Sequence, residues 1–305
     1  MKKNKLSINI ISSFNQSNLV GLLKNNKSYK FEVRESNYNQ VIQILTNPKD
    51  KMWEKKSKIS LVWITPEDVF PEFKKLILNE KISPHILNEQ VVSFCDQLKL
   101  IKKNSDFILV PSLILKQPIE SNISLGYSIN RGLDYNLSLI NHILSEQLKN
   151  EKNFYILNSN KWLSNCGIKN TYNSKLWFLM KCPFSNDFFK EAISDILNFY
   201  KSSLGNVKKL LILDLDDTLW GGIVGEVGWK KLRIGGHDYI GEAFQDFQSR
   251  IKSLKNHGIL LAIASKNEES TALEAISKHP EMILKIDDFV TYKINWNDKA
   301  KNIAE

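Results

Sequence analysis

The stretch "LLILDLDDTLWGG", residues 210–222, is the most informative part of this sequence about the structure of its second half. Its four leading aliphatic residues predict a buried β-strand, because continuous apolar runs are typical of strands covered on both faces. The strand ends in Asp214, and Asp216 and Asp217 follow before a threonine and a glycine pair. Parallel sheets bind ligands where the carboxyl ends of their strands open into loops. The sequence therefore predicts a binding site that begins at Asp214 and Asp216.

Short apolar runs alternate with longer amphipathic segments along the chain, and this alternation predicts an α/β fold. We expect two three-layer α/β/α domains with mostly parallel sheets, residues 1–204 and 205–305, the second incomplete at its C-terminus. The boundary lies where a helix over residues 185–203 ends near Gly205 and the pattern restarts. The predicted strands span residues 6–11, 29–33, 59–64, 106–111 and 153–157, then 210–215, 259–265 and 288–292.

Composition excludes several classes of protein. No apolar stretch approaches the ~18 residues of a membrane helix, and the short run "LSINII" near the start favours a first strand over a signal peptide. These features predict a cytoplasmic protein with no membrane partner. Cys95, Cys166 and Cys182 are odd in number and far apart, which indicates reduced thiols rather than disulfides or a metal site.

The net charge of +9 comes almost entirely from lysine, and the chain has only four arginines. Specific base recognition depends largely on the planar guanidinium group, and no basic run is interleaved with aromatic residues. We therefore expect no nucleic-acid partner. A diffuse positive field favours phosphorylated substrates or an acidic protein partner.

The spacing of Asp214 and Asp216 suits phosphoryl transfer. A carboxylate that is ionised at neutral pH can attack phosphorus and form an acyl phosphate. A second carboxyl group can protonate the leaving oxygen and then activate water. Two anions beside a phosphate need a divalent cation such as Mg²⁺. A turn or a helix cap would use the same residue type, but the preceding aliphatic strand favours the chemical role.

"DLDDT", residues 214–218, resembles the first motif of the haloacid dehalogenase (HAD) superfamily. Together with "GEAFQDFQ", "GILLAIASKNEE" and "INWNDKAKNI", it resembles the FkbH-like, HAD-IIIC branch from about residue 207 to the end. The resemblance implies that Asp214 is the nucleophile and Asp216 the general acid/base. It also implies that the Asp214 carboxylate and the Asp216 carbonyl bind Mg²⁺, that Ser265 donates to the phosphoryl group, and that Lys299 is the charge-balancing cation.

Two of these assignments have competing interpretations. Residues 265–268, "SKNE", are also a capping-box pattern that would use the Ser265 hydroxyl to begin a helix. Lys299 stands in a lysine-rich chain, where a lysine is usually solvated, and only its "INW–ND–K" context distinguishes it from Lys301.

The family's fourth motif, an acidic pair after a later strand, has no counterpart in this sequence. Asp287 and Asp288 precede their strand and come before Lys299, so their order is wrong. We therefore interpret the sequence as truncated before this motif. The expectation that follows is an incomplete site and weak Mg²⁺ binding by these residues.

The first domain resembles SGNH hydrolases in its strand–helix alternation. Ser12 and Ser13 follow the first strand, but no Asp-x-x-His occurs before residue 205, and the histidines there are His85 and His142. Without a base the serine would be inert, so we expect a non-catalytic domain.

FkbH-like proteins are associated with moving a glyceryl unit from a phosphorylated three-carbon donor to an acyl carrier protein. The resemblance thus implies a phosphatase or phosphotransferase, with a phosphorylated small molecule and an acyl carrier protein as partners. Cys166 and Cys182 are weakly supported candidates for a thioester. Two alternatives stay open, a non-catalytic carrier-docking or assembly protein and an N-terminal SGNH-type esterase.

Overall fold

The computed structural model describes residues 4–119 and 125–305, which form two compact units, residues 1–200 and 201–305. The division falls four residues before the predicted one. In the helix Asn186–Ser203, Tyr200 is the last residue that packs into the core of the first unit, whereas residues 201–205 are exposed. The α/β class and the parallel sheets are confirmed.

The first unit contains a five-stranded parallel sheet in the order β2-β1-β3-β4-β5. The chain leaves β1 toward one edge and returns beyond β1 toward the other, so the topological switch point lies between β1 and β3. The strands are β1 (Asn4–Ser12), β2 (Tyr29–Glu35), β3 (Ser57–Trp63), β4 (Ser105–Pro111) and β5 (Phe154–Leu157).

Helices cover both faces of this sheet, because its buried side chains alternate between two cores. In β3, Leu61 and Trp63 pack into one core and Val62 into the other. This alternation produces the predicted three layers. The helices are α1 (Ser17–Lys24), α2 (Val41–Thr46), α3 (Pro66–Val69), α4 (Pro71–Ile77), α5 (Pro84–Leu100), α6 (Leu133–Leu148), α7 (Ser159–Cys166), α8 (Ile168–Thr171), α9 (Ser174–Met180) and α10 (Asn186–Ser203), with a 3₁₀ turn at Lys51–Trp53.

The second unit contains a parallel sheet of three strands in the order β6-β7-β8. The carboxyl ends of parallel strands lie at one edge, so the loops after β6, β7 and β8 converge there. The elements are β6 (Leu210–Leu213), α11 (Val224–Val227), α12 (Tyr239–Asn256), β7 (Leu260–Ser265), α13 (Glu269–Lys278), β8 (Phe289–Ile294) and α14 (Lys299–Ala304), with 3₁₀ turns at Trp229–Lys231 and Ile286–Asp288. No helix among the described residues is both long and apolar enough to cross a membrane.

Asp288 anchors the start of β8 to α12. Its buried carboxylate accepts hydrogen bonds from Lys252 Nζ at 2.6 Å, Lys255 Nζ at 2.7 Å and the Lys285 N–H at 2.8 Å. Burial acts to raise the pKa of Asp288, but these donors outweigh it and lower the pKa to about 2. The group therefore has a structural role, consistent with its exclusion as a fourth motif.

Replacing Asp288 with Asn is expected to destabilise the second unit by about 2 kcal/mol at neutral pH. The pKa of Asp288 is lower in the folded state, so its stabilisation is complete above the unfolded value near 4 and lost as pH falls toward 2. Urea unfolding of both proteins across this pH range measures the effect. The difference in unfolding free energy should shrink as the pH falls, and a pH-independent difference would contradict the assignment.

Candidate active site

Asp214 is the first residue after β6, at the edge where the three loops converge. Its Oδ1 accepts hydrogen bonds from Ser265 Oγ at 2.8 Å and from the Leu215 N–H at 2.9 Å. Its Oδ2 forms a short ion pair with Lys299 Nζ. The side chains of Asp214 and Lys299 are 39% and 37% exposed, so the group that would react is held in place and still open to solvent.

These contacts keep Asp214 ionised. Burial acts to raise the pKa of its carboxyl group, but the hydrogen bonds from Lys299, Ser265 and the Leu215 N–H outweigh this effect and lower the pKa below its ordinary value. A carboxylate anion is the form that can attack phosphorus.

Asp216 is oriented by three donors. Its Oδ1 accepts from the indole Nε1 of Trp220 at 2.9 Å and from the Val224 N–H at 3.1 Å, and its Oδ2 accepts from Asn267 Nδ2 at 3.0 Å. Trp220 is fully buried, so the indole fixes the carboxylate from a rigid base. Asp217 lies in the tight turn between Asp216 and Trp220, and its backbone has a positive φ of 52°.

Asn267 links the loops after β6 and β7, and sequence reasoning missed it. Its buried amide donates to Asp216 and also approaches Ser265 Oγ at 3.2 Å. The signal available in the sequence was a second polar side chain just beyond a strand end. The Asn267 amide thereby links Asp216, the predicted acid/base, to Ser265, the residue predicted to donate a hydrogen bond to the phosphoryl group.

The capping-box interpretation of residues 265–268 is wrong in the structure. The residue at the N-cap of α13 is Glu268, and the Ser265 hydroxyl points to Asp214 instead. A hydroxyl group donates one proton, and here the carboxylate receives it. The Ser265 hydroxyl thus lies beside the predicted nucleophile.

Lys299 reaches the site because it begins α14 next to the loop after β8. Asp298 caps this helix through the Lys301 N–H at 3.1 Å, and the Asn295 N–H donates to the Ser265 carbonyl at 3.1 Å. These bonds tie the loop to the end of β7. Lys301 lies in the same first turn, but no described contact joins its ammonium group to Asp214.

The structure therefore brings all four predicted residues, Asp214, Asp216, Ser265 and Lys299, to one sheet edge. The oxygen ligands available there suit Mg²⁺, which usually takes one or two protein carboxylates and keeps waters or substrate oxygens in its other positions. Across residues 4–119 and 125–305, no group of three His, Cys, Asp or Glu side chains could hold a metal ion. A Mg²⁺ ion bound at this edge would therefore have few protein ligands among the described residues.

Replacing Lys299 with Met is expected to lower kcat/KM for a phosphate ester by about 100-fold, because one positive donor is lost beside the developing charge. The pKa of Asp214 should also rise, since Lys299 is the strongest of the groups that lower it. The acid limb of the pH profile of kcat/KM should therefore move to higher pH. Lys301→Met is the matched control and should leave the profile unchanged. An unmoved limb in the Lys299 variant would contradict this electrostatic role.

The first unit does not assemble the hydrolase site considered from the sequence. Ser12 and Ser13 are fully buried, and their hydroxyls bond to the Phe14 and Thr65 N–H groups at 3.1 and 3.0 Å. His85 and His142 are exposed. No described histidine therefore activates either serine, and the esterase alternative gains no support.

Two of the three cysteines of the first unit, Cys95 and Cys182, are also poor nucleophiles. All three are free thiols. Burial raises the pKa of Cys95 to about 12 and that of Cys182 to about 11, which keeps both protonated at neutral pH. Cys182 is therefore an unsuitable carrier of a thioester.

Comparison with solved structures finds a likeness that extends over almost the whole chain. The N-terminal part of the protein BF1531 from Bacteroides fragilis, which contains a phosphatase domain and is complexed with Mg, has a TM-score of 0.81 and 26% sequence identity. The match covers 99% of this chain and 80% of that one.

Two more distant structures match about two thirds of the chain. A lipolytic G-D-S-L family protein from Veillonella parvula has a TM-score of 0.39 at 10% identity, covering 65% of this chain and 98% of that one. The acetylxylan esterase Axe2 from Geobacillus stearothermophilus scores 0.41 at 11% identity, covering 65% and 95%. Likenesses this low carry no information about chemistry.

No curated protein matches the sequence. The sequence model of the FkbH N-terminal domain, in contrast, matches residues 9–200, which is more than half of the 305 residues. This match and the structural likeness agree with the motifs quoted above. The chain belongs to the FkbH family.

Proposed function

We propose that the second unit is a Mg²⁺-dependent phosphatase or phosphotransferase of the HAD-IIIC type that works through an aspartyl-phosphate intermediate on Asp214. The observation that carries the proposal is the arrangement around this carboxylate. Ser265 and Lys299 donate to its two oxygens, and Asp216 lies two residues away in the same loop. A nucleophile, a donor, a cation and an acid/base group thus share one open sheet edge.

In the first step, an Asp214 oxygen attacks the phosphorus of the substrate, and the bond from phosphorus to the leaving oxygen breaks. Lys299 and Ser265 are placed to stabilise the charge on the phosphoryl oxygens. Asp216 supplies the proton that the leaving oxygen takes up. In the second step, Asp216 accepts a proton from water, and the hydroxide formed cleaves the acyl phosphate. Phosphate leaves, and Asp214 returns to its starting state.

A bound Mg²⁺ would offset the repulsion between the carboxylates and the phosphate. The residues that would hold it are Asp214, through its carboxylate, and Asp216, through its backbone carbonyl. The Mg-bound phosphatase domain of the Bacteroides protein supports this part of the proposal.

The substrate we propose is a phosphorylated three-carbon acyl donor whose glyceryl unit passes to an acyl carrier protein. Membership of the FkbH family supports this assignment. The described chain between Asp217 and Asp238 contains one four-residue helix, α11, and a 3₁₀ turn, so this segment forms no cap domain. An uncovered site suits a substrate attached to a carrier.

Trapping the covalent intermediate tests the proposal. Incubation with ³²P-labelled acetyl phosphate and Mg²⁺, followed by acid quench, should leave label on one peptide that contains Asp214. Borohydride reduction should convert this aspartate to homoserine. Label at another residue, or phosphate release with no labelled protein under single-turnover conditions, would refute the covalent route.

A further inference from the structure

Helix α9 of the first unit presents large apolar side chains to solvent. None of its seven residues is buried, and Phe178 and Leu179 are each 71% exposed. Ile168, in the neighbouring α8, is 63% exposed. Exposed apolar groups this large, gathered in a short segment with a polar surround, are typical of interaction sites.

The inner side of α9 is firmly attached at the carboxyl edge of the five-stranded sheet. The Asn15 N–H, just beyond β1, donates to the Lys181 carbonyl at 2.9 Å, and Lys116 Nζ lies 4.7 Å from the centre of the Trp177 ring. Leu176 and Met180 pack against the core. The helix is therefore a fixed platform rather than a loose segment.

This attachment also closes the place where the sheet would bind a small molecule. The switch point lies between β1 and β3, and the residues at its carboxyl ends, Ser13 and Thr65, are fully buried. Their hydroxyl groups face each other at 3.4 Å and that of Thr65 donates to Asp68. The crevice at this switch point is thus filled by the protein itself.

The segment of chain that forms this face carries charge of one sign. From Lys152 to Asn186 the chain contains five lysines and no aspartate or glutamate. Lys169, Lys175 and Lys181 are exposed on α8, on α9 and directly after α9, and no described ion pair involves them. A surface of this kind attracts a partner with carboxylates around a small apolar centre.

We propose that residues 168–181, the α8–α9 face, form the docking surface for an acidic carrier protein. A protein fits better than an anionic membrane, because Phe178 and Leu179 are adjacent and expose too little apolar area for stable insertion. Protein interfaces, in contrast, draw most of their affinity from a few central aromatic and aliphatic side chains with a charged rim. The choice of carrier rests on the proposed function.

The inference is tested by measuring the binding of purified holo-acyl carrier protein to the intact chain. Calorimetry at low and at high salt gives the affinity. Phe178→Ser with Leu179→Ser should weaken binding about tenfold or more, the loss of a central contact. Lys169→Glu with Lys175→Glu should weaken it similarly and remove most of its salt dependence. The matched controls are Leu100→Ser, at an apolar residue that is 64% exposed, and Lys24→Glu with Lys27→Glu. Both controls should bind like the wild type.

Phosphate release from acetyl phosphate, measured in parallel, separates this inference from the proposed function. If the chain lacks phosphatase activity but binds the carrier through the α8–α9 face, the docking inference stands and the proposed function fails. The inference is overturned if the carrier does not bind, if it binds the surface variants as tightly as the wild type, or if phosphatidylserine vesicles are captured through this face in its place. It is also overturned if the second unit of the chain, shown by cross-linking, covers Phe178.

Discussion

Replacing Asp214 with Asn is expected to lower phosphate release by about 10³-fold or more, the effect of removing a nucleophile from a group of residues that act together. An amide has no negative charge and a much weaker nucleophilic oxygen, so the first bond to phosphorus cannot form at a useful rate. Steady-state release from acetyl phosphate measures the loss.

The variant should keep its fold. Asp214 and Lys299 are both more than a third exposed, and exposed ion pairs contribute about 0–1 kcal/mol to stability. Asn can still accept the hydrogen bond from Ser265. The urea midpoint of the second unit should therefore change little, so that a loss of activity reflects lost chemistry.

Asp287→Asn provides the matched control. Asp287 is an exposed aspartate in the same unit, next to the structural Asp288. This variant should release phosphate at the wild-type rate. Equal losses in the two variants, or a fully active Asp214→Asn protein, would count against Asp214 as the nucleophile.

The sequence was sufficient to predict the strands and the residues at their ends. All eight predicted strands are present, with shifts of at most two residues at their ends. Asp214 and Ser265 could be placed together because both stand at the carboxyl ends of neighbouring apolar runs, and parallel pairing brings such ends to one edge. This part of the site depends on local pattern and topology alone.

The contacts that orient the site were not predictable in the same way. In the sequence Trp220 is an ordinary core residue, and only the turn of the loop after β6 directs its indole N–H to Asp216. Asn267 is a polar residue near a helix start, and the pairing of β6 with β7 brings it to Asp216. The short helices of the first unit include α1, those within residues 66–77 and those within residues 159–180. They are short and lack clear apolar periodicity, and packing on the sheet stabilises them.

Replacing Asp216 with Asn is expected to reduce steady-state turnover by about 10²–10⁴-fold, the usual contribution of a general acid/base group. The two chemical steps should respond differently. With acetyl phosphate the leaving group is a carboxylate that needs no proton, so Asp214 should still be phosphorylated. With glycerol phosphate the leaving alkoxide requires a proton, so the first step itself should slow.

The amount of labelled phosphoenzyme therefore distinguishes the acid role of Asp216 from its base role. In the Asp216→Asn variant, phosphoenzyme should accumulate from ³²P-acetyl phosphate, because the water that cleaves it lacks a base. It should not accumulate from labelled glycerol phosphate. If the variant accumulates phosphoenzyme from both substrates, Asp216 is a base only. If it accumulates from neither while Asp214 remains intact, its role lies in binding.

Trp220→Phe should impair the acid role of Asp216 less than Asp216→Asn does, because the indole N–H is one of two donors that hold Asp216 Oδ1. Phe preserves most of the buried ring but leaves the carboxylate less well oriented. Losing its donor should slow the phosphorylation of Asp214 by glycerol phosphate more than that by acetyl phosphate, measured in a single turnover. Trp229→Phe is the control, since Trp229 packs in the same core without contacting Asp216. A slowing of this step in Trp220→Phe that is equal for both substrates would instead indicate damage to packing, because only a displaced acid makes the phosphorylation rate depend on the leaving group.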